Sequence, residues 1–198
     1  MGEAKSVLVL ACGALGREIQ ALKKLNGWKS LEVRTLPAHW HNTPERIPEG
    51  IRKHLKWAKS RYGKIYTAYA DCGTGGKLDE LLREFGVERL PGAHCYEFYS
   101  GAQDFAEIAE EEPGTFYLTD FLVKNFDRLV VHELGLDRHP ELREDYFKNY
   151  RRLVYLAQIE NRSLQELASQ AAQRLGLEYY YRFTGYGELE STLQKWMS

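Results

Sequence analysis

The sequence has no apolar run long enough to cross a membrane as a helix, and it has no excess of charge of either sign. Its 27 basic and 28 acidic residues give a formal net charge of −1, which argues against electrostatic binding to nucleic acid or to an anionic membrane surface. It contains only three cysteines, an odd number that does not suggest a disulfide framework. Its start lacks the features of a signal peptide. We therefore expect a cytoplasmic protein with no nucleic-acid or membrane partner.

The 198 residues include 43% hydrophobic and 28% charged side chains, the composition of an ordinary globular protein. Short apolar segments alternate with amphipathic segments along nearly the whole chain, a pattern that predicts parallel strands joined by helices. The predicted strands are Val7–Ala11, Leu31–Leu36, Lys64–Ala70, Val87–Leu90, Gly114–Leu118 and Leu177–Phe183. We expect a single α/β domain over residues 1–198, a three-layer Rossmann-like fold with one mostly parallel sheet.

Two helices are expected between the fifth and the last predicted strand. Apolar residues recur at helical spacing from Tyr146 to Ala157, which predicts the first of them. Ser163 and Glu166 have the spacing of a capping box, which predicts the start of the second.

All three cysteines fall in predicted strand-end loops: Cys12, Cys72 and Cys95. Ligands of parallel sheets bind beyond the carboxyl ends of the strands, and backbone N–H groups in glycine turns and at helix starts favour a thiolate. Three thiolates from separate loops suit a [4Fe–4S] cluster with one open iron, or a zinc ion. The alternative is that Cys12 and Cys95 are partly buried neutral thiols and that only Cys72 has a function.

The stretch ADCGTGGK (residues 70–77) is rich in glycine and resembles a phosphate-binding loop, but it fails the rule for one. Asp71 occupies the place of the first glycine, and Leu78 replaces the hydroxyl residue that would bind magnesium. A small anion on the backbone amides of this loop remains an option. The predicted cofactor-contacting residues are Gly13, Gly73, Thr74 and Gly75.

Three further side chains in the strand-end loops are predicted to move protons: His41, Asp71 and Glu97. His41 lies in the loop LPAHWHNTP (residues 36–44), where it is a candidate metal ligand or general base. Its alternative role is to shape a turn. Asp71 and Glu97 are candidate acid–base groups, and their alternative role is to accept hydrogen bonds from a helix start.

Four stretches together resemble a family of uncharacterised bacterial and archaeal proteins, the domain of unknown function numbered 1638. These stretches are ACGAL (11–15), LPAHWHNTP (36–44), YADCGTGG (69–76) and HCYEF (94–98). The resemblance extends to about Tyr150 and implies a complete member of that family, with no assigned reaction or catalytic residue. Some archaeal relatives are associated with corrinoid-dependent methyl metabolism. The resemblance therefore points toward metal-site or one-carbon chemistry.

The leading functional hypothesis is a metal-dependent enzyme acting on a small molecule, a lyase, desulfurase or transferase. Cys12, Cys72 and Cys95 would hold the cluster or the zinc ion at the carboxyl edge of the sheet. A second hypothesis is a non-catalytic carrier or chaperone for a metal or corrinoid. A third is a metal-free enzyme with Cys72 as nucleophile, a histidine base and an anion-binding glycine loop. The expected partner is a small-molecule substrate, and self-association into a homo-oligomer stays open.

Overall fold

The computed structural model describes residues 6–198. Seven strands and the helices between them alternate along the chain. The strands are β1 (Val7–Cys12), β2 (Leu31–Leu36), β3 (Lys64–Ala68), β4 (Glu88–Arg89), β5 (Thr115–Thr119), β6 (Arg152–Ala157) and β7 (Glu178–Phe183). The α-helices are α1 (Gly16–Leu25), α2 (Arg46–Ala58), α3 (Lys77–Phe85), α4 (Glu97–Ser100), α5 (Ala102–Glu111), α6 (Asp120–Lys124), α7 (Leu142–Phe147), α8 (Arg162–Leu175) and α9 (Gly187–Met197). A 3₁₀ turn covers Ala38–Asn42, and a π-helical segment covers Asp127–His132.

The strands form two parallel sheets, of order β2-β1-β3-β4 and β5-β6-β7. The α/β class, the parallel pairing and the Rossmann-like character are confirmed. The expectation of one sheet is corrected, because no strand of the second sheet pairs with a strand of the first within residues 6–198. The alternation of strand and helix is local information, whereas the choice of neighbours in a sheet depends on contacts between distant segments.

The chain divides into two compact units. The first unit contains the described residues up to Glu97 together with Glu188–Ser198, and the second contains Phe98–Gly187. The expected single domain over residues 1–198 stays a prediction. Nowhere in residues 6–198 does a helix combine the length and the apolar content that a membrane span requires.

In the first unit, β1 is the central strand, and its residues are all buried. Its register runs from Val7 opposite Leu31 to Cys12 opposite Leu36, and on its other side from Val7 opposite Lys64. An unbroken apolar run such as VLVLA is typical of a strand that is covered on both faces. Because the three strands are parallel and in register, their carboxyl ends lie side by side at one edge of the sheet.

In the second unit, β6 is the central strand and is likewise buried throughout. The predicted helix over Tyr146–Ala157 is wrong: α7 ends at Phe147, and Arg152–Ala157 is this strand. A short continuous apolar run fits a buried helix and a buried strand equally well, and here the pairing with β5 and β7 decides for the strand.

Helix α8 begins two residues earlier than the predicted capping box requires. Asn161 is the N-cap, and its side-chain oxygen accepts a hydrogen bond from the backbone N–H of Leu164. Ser163 therefore lies inside the first turn, and the prediction that it caps the helix is wrong. Asn is as good an N-cap as Ser, so capping preference does not choose between Asn161 and Ser163.

Candidate metal centre

The carboxyl edge of the first sheet collects side chains from four consecutive strand ends. Cys12 is the last residue of β1, and His41 lies in the 3₁₀ turn that follows β2. Cys72 follows β3 after a short extended segment that includes Tyr69, and Cys95 lies in the loop after β4. The parallel register thus brings together residues that are distant in the sequence.

Three of these residues form a group that could hold a metal ion. One ligand atom each from His41, Cys72 and Cys95 lies within 4.8 Å of the other two. The sulfur atoms of Cys72 and Cys95 are 3.1 Å apart, and these residues are only 5% and 7% exposed. Imidazole and thiolate are ligands that zinc and related transition metals prefer. Cys12, which the sequence predicts as a third thiolate ligand, is not a member of this group.

Cys12 also contacts the imidazole of His41. Its sulfur lies 3.7 Å from Nδ1 of His41 and accepts a hydrogen bond from the backbone N–H of Ala14 at 3.3 Å. Nδ1 is also 3.0 Å from the carbonyl oxygen of Ala38. Because a carbonyl oxygen can only accept, Nδ1 carries the hydrogen and donates it. In the neutral imidazole this leaves the lone pair on Nε2, the tautomer that a backbone carbonyl commonly enforces on a metal-binding histidine.

The protonation of the group depends on the proximity of its members. Burial lowers the pKa of His41, but hydrogen bonds and charges from Cys12 and Cys72 outweigh burial and raise that pKa from 6.5 to about 11. The hydrogen bond with Cys95, and then burial, raise the pKa of Cys72 above its ordinary value. At neutral pH the group therefore holds protons, shared between neighbouring ligand atoms, that a metal ion would have to displace.

Tyr69 lies beside His41 of this group, and sequence reasoning missed it. It is fully buried, and its ring is stacked on the His41 imidazole with a centroid distance of 6.3 Å and an angle of 12°. Burial, and then the thiols of Cys12, Cys95 and Cys72, raise the pKa of its phenol. Within the described part of the chain, no nitrogen or oxygen atom partners this buried hydroxyl, and its hydrogen-bonding neighbour is the Cys12 sulfur. Sulfur is a weak acceptor, so the hydroxyl keeps the capacity to donate to a ligand.

The backbone at Cys72 is unusual. Its φ is +51°, which makes it the one non-glycine residue with a positive φ in residues 6–198. A left-handed conformation costs an L-residue about 1–2 kcal/mol. Glycine would adopt this turn without strain, and Gly73, Gly75 and Gly76 do so next to it. A strained residue at a pocket is a reason to look for a function that needs its side chain.

Asp71 holds the glycine-rich loop together. Its carboxylate accepts hydrogen bonds from the Thr74 hydroxyl at 2.7 Å, the Gly76 N–H at 2.9 Å and the Gly75 N–H at 3.2 Å. Partial burial raises the pKa of Asp71, but these bonds outweigh it and hold the pKa below its ordinary value. Two amides of the expected anion cradle are thus already bound to a carboxylate. The roles of Gly73, Thr74 and Gly75 as cofactor contacts stay predictions.

Glu97 and Gly13 also have structural partners. Glu97 accepts hydrogen bonds from the backbone N–H groups of Ala93 and His94, which shape the loop that carries Cys95. The N–H of Gly13 donates to the carbonyl oxygen of Leu36, and a Cβ at this position would lie 2.9 Å from that oxygen. The structure thus assigns loop-shaping contacts to Asp71 and Glu97, and their predicted acid–base roles stay predictions.

Fold and site together define an α/β protein with parallel sheets and a His–Cys–Cys group that could hold a metal ion. The chain belongs to the family described as "Protein of unknown function (DUF1638)", whose family model matches residues 35–193. The resemblance seen in the sequence is thereby confirmed, and the match continues well past Tyr150. The match includes His41, Cys72 and Cys95, whereas Cys12 lies before it. No curated protein is similar enough to the chain to count as a match.

Proposed function

We propose that this protein is a metal-dependent enzyme whose single thiophilic divalent ion, with zinc as the first choice, is held by His41, Cys72 and Cys95. The convergence of these three ligand atoms within 4.8 Å of one another is the observation that carries the proposal. Two thiolates and a neutral imidazole balance the charge of a divalent ion, which removes the main penalty for burying it.

The spacing of the sulfur atoms favours a single ion over a cluster. Two thiolates on one zinc ion lie about 3.8 Å apart, because tetrahedral geometry combines with Zn–S bonds of about 2.3 Å. The two sulfur atoms are 3.1 Å apart, so a small outward movement admits the ion. A [4Fe–4S] cluster places each cysteine on a different iron, with sulfides between the irons, and needs a wider opening.

Three protein ligands leave the fourth position of a tetrahedral ion open, as in catalytic zinc sites. An ion held in this way supplies Lewis-acid chemistry toward a water, a thiol or another small donor. The Tyr69 hydroxyl, whose neighbour is the weakly accepting Cys12 sulfur, is available to donate a hydrogen bond to such a species. The burial of Cys72 and Cys95 restricts access to small molecules.

Cys12 acts on the ion through His41. The Nδ1–H of His41 donates to the carbonyl oxygen of Ala38 and lies near the Cys12 sulfur. These contacts hold the orientation of the imidazole ring. Partners of this kind typically change metal affinity by about 10- to 100-fold.

The experiment measures zinc, iron and acid-labile sulfide in protein purified without oxygen or chelators. We expect about one zinc ion per chain and no sulfide. Cys95→Ser should abolish binding, whereas the matched variant Cys12→Ser should keep the ion at about 10- to 100-fold lower affinity. Sulfide with several irons per chain, or loss of all metal in Cys12→Ser, would instead support the three-cysteine cluster.

The open position is tested on the cobalt-substituted protein, whose visible spectrum reports added ligands. Azide should perturb the spectrum, and Tyr69→Phe should retain cobalt while binding azide about 2- to 10-fold more weakly, the effect of one lost hydrogen bond. A spectrum that no small ligand alters would contradict the open position.

The metal-free enzyme with Cys72 as nucleophile is the second candidate, and the place of His41 within hydrogen-bonding reach of the Cys72 thiol favours it. A thiol beside an imidazole is the arrangement of a cysteine nucleophile with its base. If the protein contains no metal and one equivalent of iodoacetamide modifies a cysteine in this pocket, this candidate replaces the first.

A further inference from the structure

The last strand of the second sheet, β7, has an exposed edge. It pairs with β6 on one side, and no described strand pairs with it on the other. Its aromatic side chains are unusually exposed, with Tyr180 at 46%, Tyr181 at 39% and Phe183 at 52%. Proteins commonly protect such edges with proline, lysine or a bulge, and the sequence EYYYRF contains neither proline nor lysine.

The direction of the backbone groups follows from the bonds at the two ends of the strand. Glu178 N–H donates to Arg151 and Thr184 N–H donates to Ala157, so the even-numbered residues face β6. Since backbone groups alternate along a strand, the N–H and C=O groups of Tyr179, Tyr181 and Phe183 point away from the sheet. In the described chain, none of these three N–H groups has a backbone partner among the bonds outside the ladders.

The strand is complementary to itself when it runs antiparallel. With Tyr180 opposite Tyr180 of a second copy, Tyr179 faces Tyr181, and both have outward backbone groups that form hydrogen-bonded pairs. The same register places Glu178 opposite Arg182 at both ends of the pairing. Opposite charges directly across an antiparallel pair stabilise it.

We propose that this protein forms a two-fold dimer in which β7 pairs antiparallel with β7 of a second copy, centred on Tyr180. The dimer contains one continuous six-stranded sheet and covers the exposed aromatic side chains. This inference is independent of the metal site. A register centred on Tyr181 also pairs the outward backbone groups, but it places Tyr180 opposite Arg182 and leaves both charges without an opposite partner.

Existing contacts of the two charged residues do not prevent the pairing. Arg182 is 2.6 Å from Asp104, with both side chains nearly half exposed, and the Tyr180 hydroxyl donates to Glu178 at 3.2 Å. Ion pairs this exposed contribute little to stability, so Arg182 is free to contact Glu178 of the second copy.

Sedimentation equilibrium of the full chain tests the proposal through charge reversal. Glu178→Arg and Arg182→Glu each turn two opposite-charge pairs into two like-charge pairs, so each should raise the dimer dissociation constant about 10- to 100-fold. The double variant restores both pairs and should return the constant to within about threefold of the original. Asp104→Asn is the matched control, because it removes only the ion pair within the chain and should leave dimerisation unchanged.

Amide hydrogen exchange gives a second readout at the level of single residues. Raising the protein concentration through the dissociation constant should slow exchange at Tyr181, whose N–H becomes bonded, but not at Tyr180, whose N–H already bonds β6. A chain that stays monomeric at all concentrations would overturn the proposal. A dimer that is insensitive to the single reversals would overturn it too, as would one that the double variant fails to restore.

Discussion

The carboxyl edges of the two sheets both follow parallel strands, but their polar side chains satisfy one another to different degrees. At the second edge, the carboxylate of Asp120 accepts hydrogen bonds from the Tyr155 hydroxyl at 2.7 Å and from the Gln158 N–H at 3.0 Å. The Gln158 side chain accepts in turn from the Asp120 N–H. Burial, and then the bond to Asp120, raise the pKa of Tyr155. Within the described residues, none of these three side chains has a buried polar atom without a partner.

At the first edge the polar groups do not satisfy one another. Two thiols lie in contact, the Tyr69 hydroxyl has no nitrogen or oxygen partner in the described chain, and Cys72 has a strained backbone. A buried polar network that is complete stabilises the fold, whereas an incomplete one costs free energy until a ligand completes it. The comparison therefore assigns a structural role to the second edge and supports the proposed binding role of the first.

Metal binding should depend steeply on pH, and this is the largest effect we expect. At neutral pH the ion displaces one proton from His41, whose pKa is raised to about 11, and one from Cys72, whose pKa is also raised. With at least two protons displaced, zinc affinity should rise at least about a hundredfold per pH unit between pH 6 and 8. Competition with a chromophoric chelator measures this slope. A slope near zero would mean that His41 and Cys72 are not ligands.

Removing the central acid of the second edge should destabilise the protein without affecting the metal. Asp120→Ala leaves the Tyr155 hydroxyl and the Gln158 N–H without their acceptor, at a cost of about 3 kcal/mol in the free energy of unfolding. Cys95→Ser, measured on metal-free protein, should cost less than about 1 kcal/mol. Urea unfolding followed by circular dichroism measures both values, and equal costs would contradict the contrast between the two edges.

Urea unfolding of the Asp120→Ala variant also tests the expectation that the chain is a single domain. The four tryptophans, Trp28, Trp40, Trp57 and Trp196, belong to the first unit, whereas Asp120 belongs to the second. If the chain unfolds as one domain, Asp120→Ala shifts the tryptophan fluorescence and the circular dichroism transitions together. If only the dichroism shifts, the two units unfold separately.

The strain at Cys72 gives the smallest expected effect. Both Cys72→Gly and Cys72→Ala remove the thiol and should abolish metal binding, but only glycine relieves the positive φ. The glycine variant should therefore be more stable than the alanine variant by about 1 kcal/mol. Thermal unfolding of the two metal-free variants measures the difference, and an alanine variant of equal or higher stability would show that the turn is not strained.

Prediction from sequence succeeded where structure is local. The bounds of β2, Leu31–Leu36, agree with the predicted ones, because a short apolar segment closed by a proline defines them. It failed at β6, where Tyr146–Ala157 was predicted as a helix, because a short apolar run contains no periodicity that separates the two structures. It also did not identify Tyr69, whose position directly before ADCGTGGK at a strand end was the available signal.

The sequence by itself determined the α/β class, the parallel pairing and the position of the three cysteines at strand ends. These follow from the order of short apolar runs and glycine turns, which nearby residues specify. Only the tertiary structure decided that His41 joins Cys72 and Cys95, that Cys12 lies beside His41, and that the strands divide between two sheets. Those outcomes depend on the register of strands that are far apart in the chain, and no local pattern records that register.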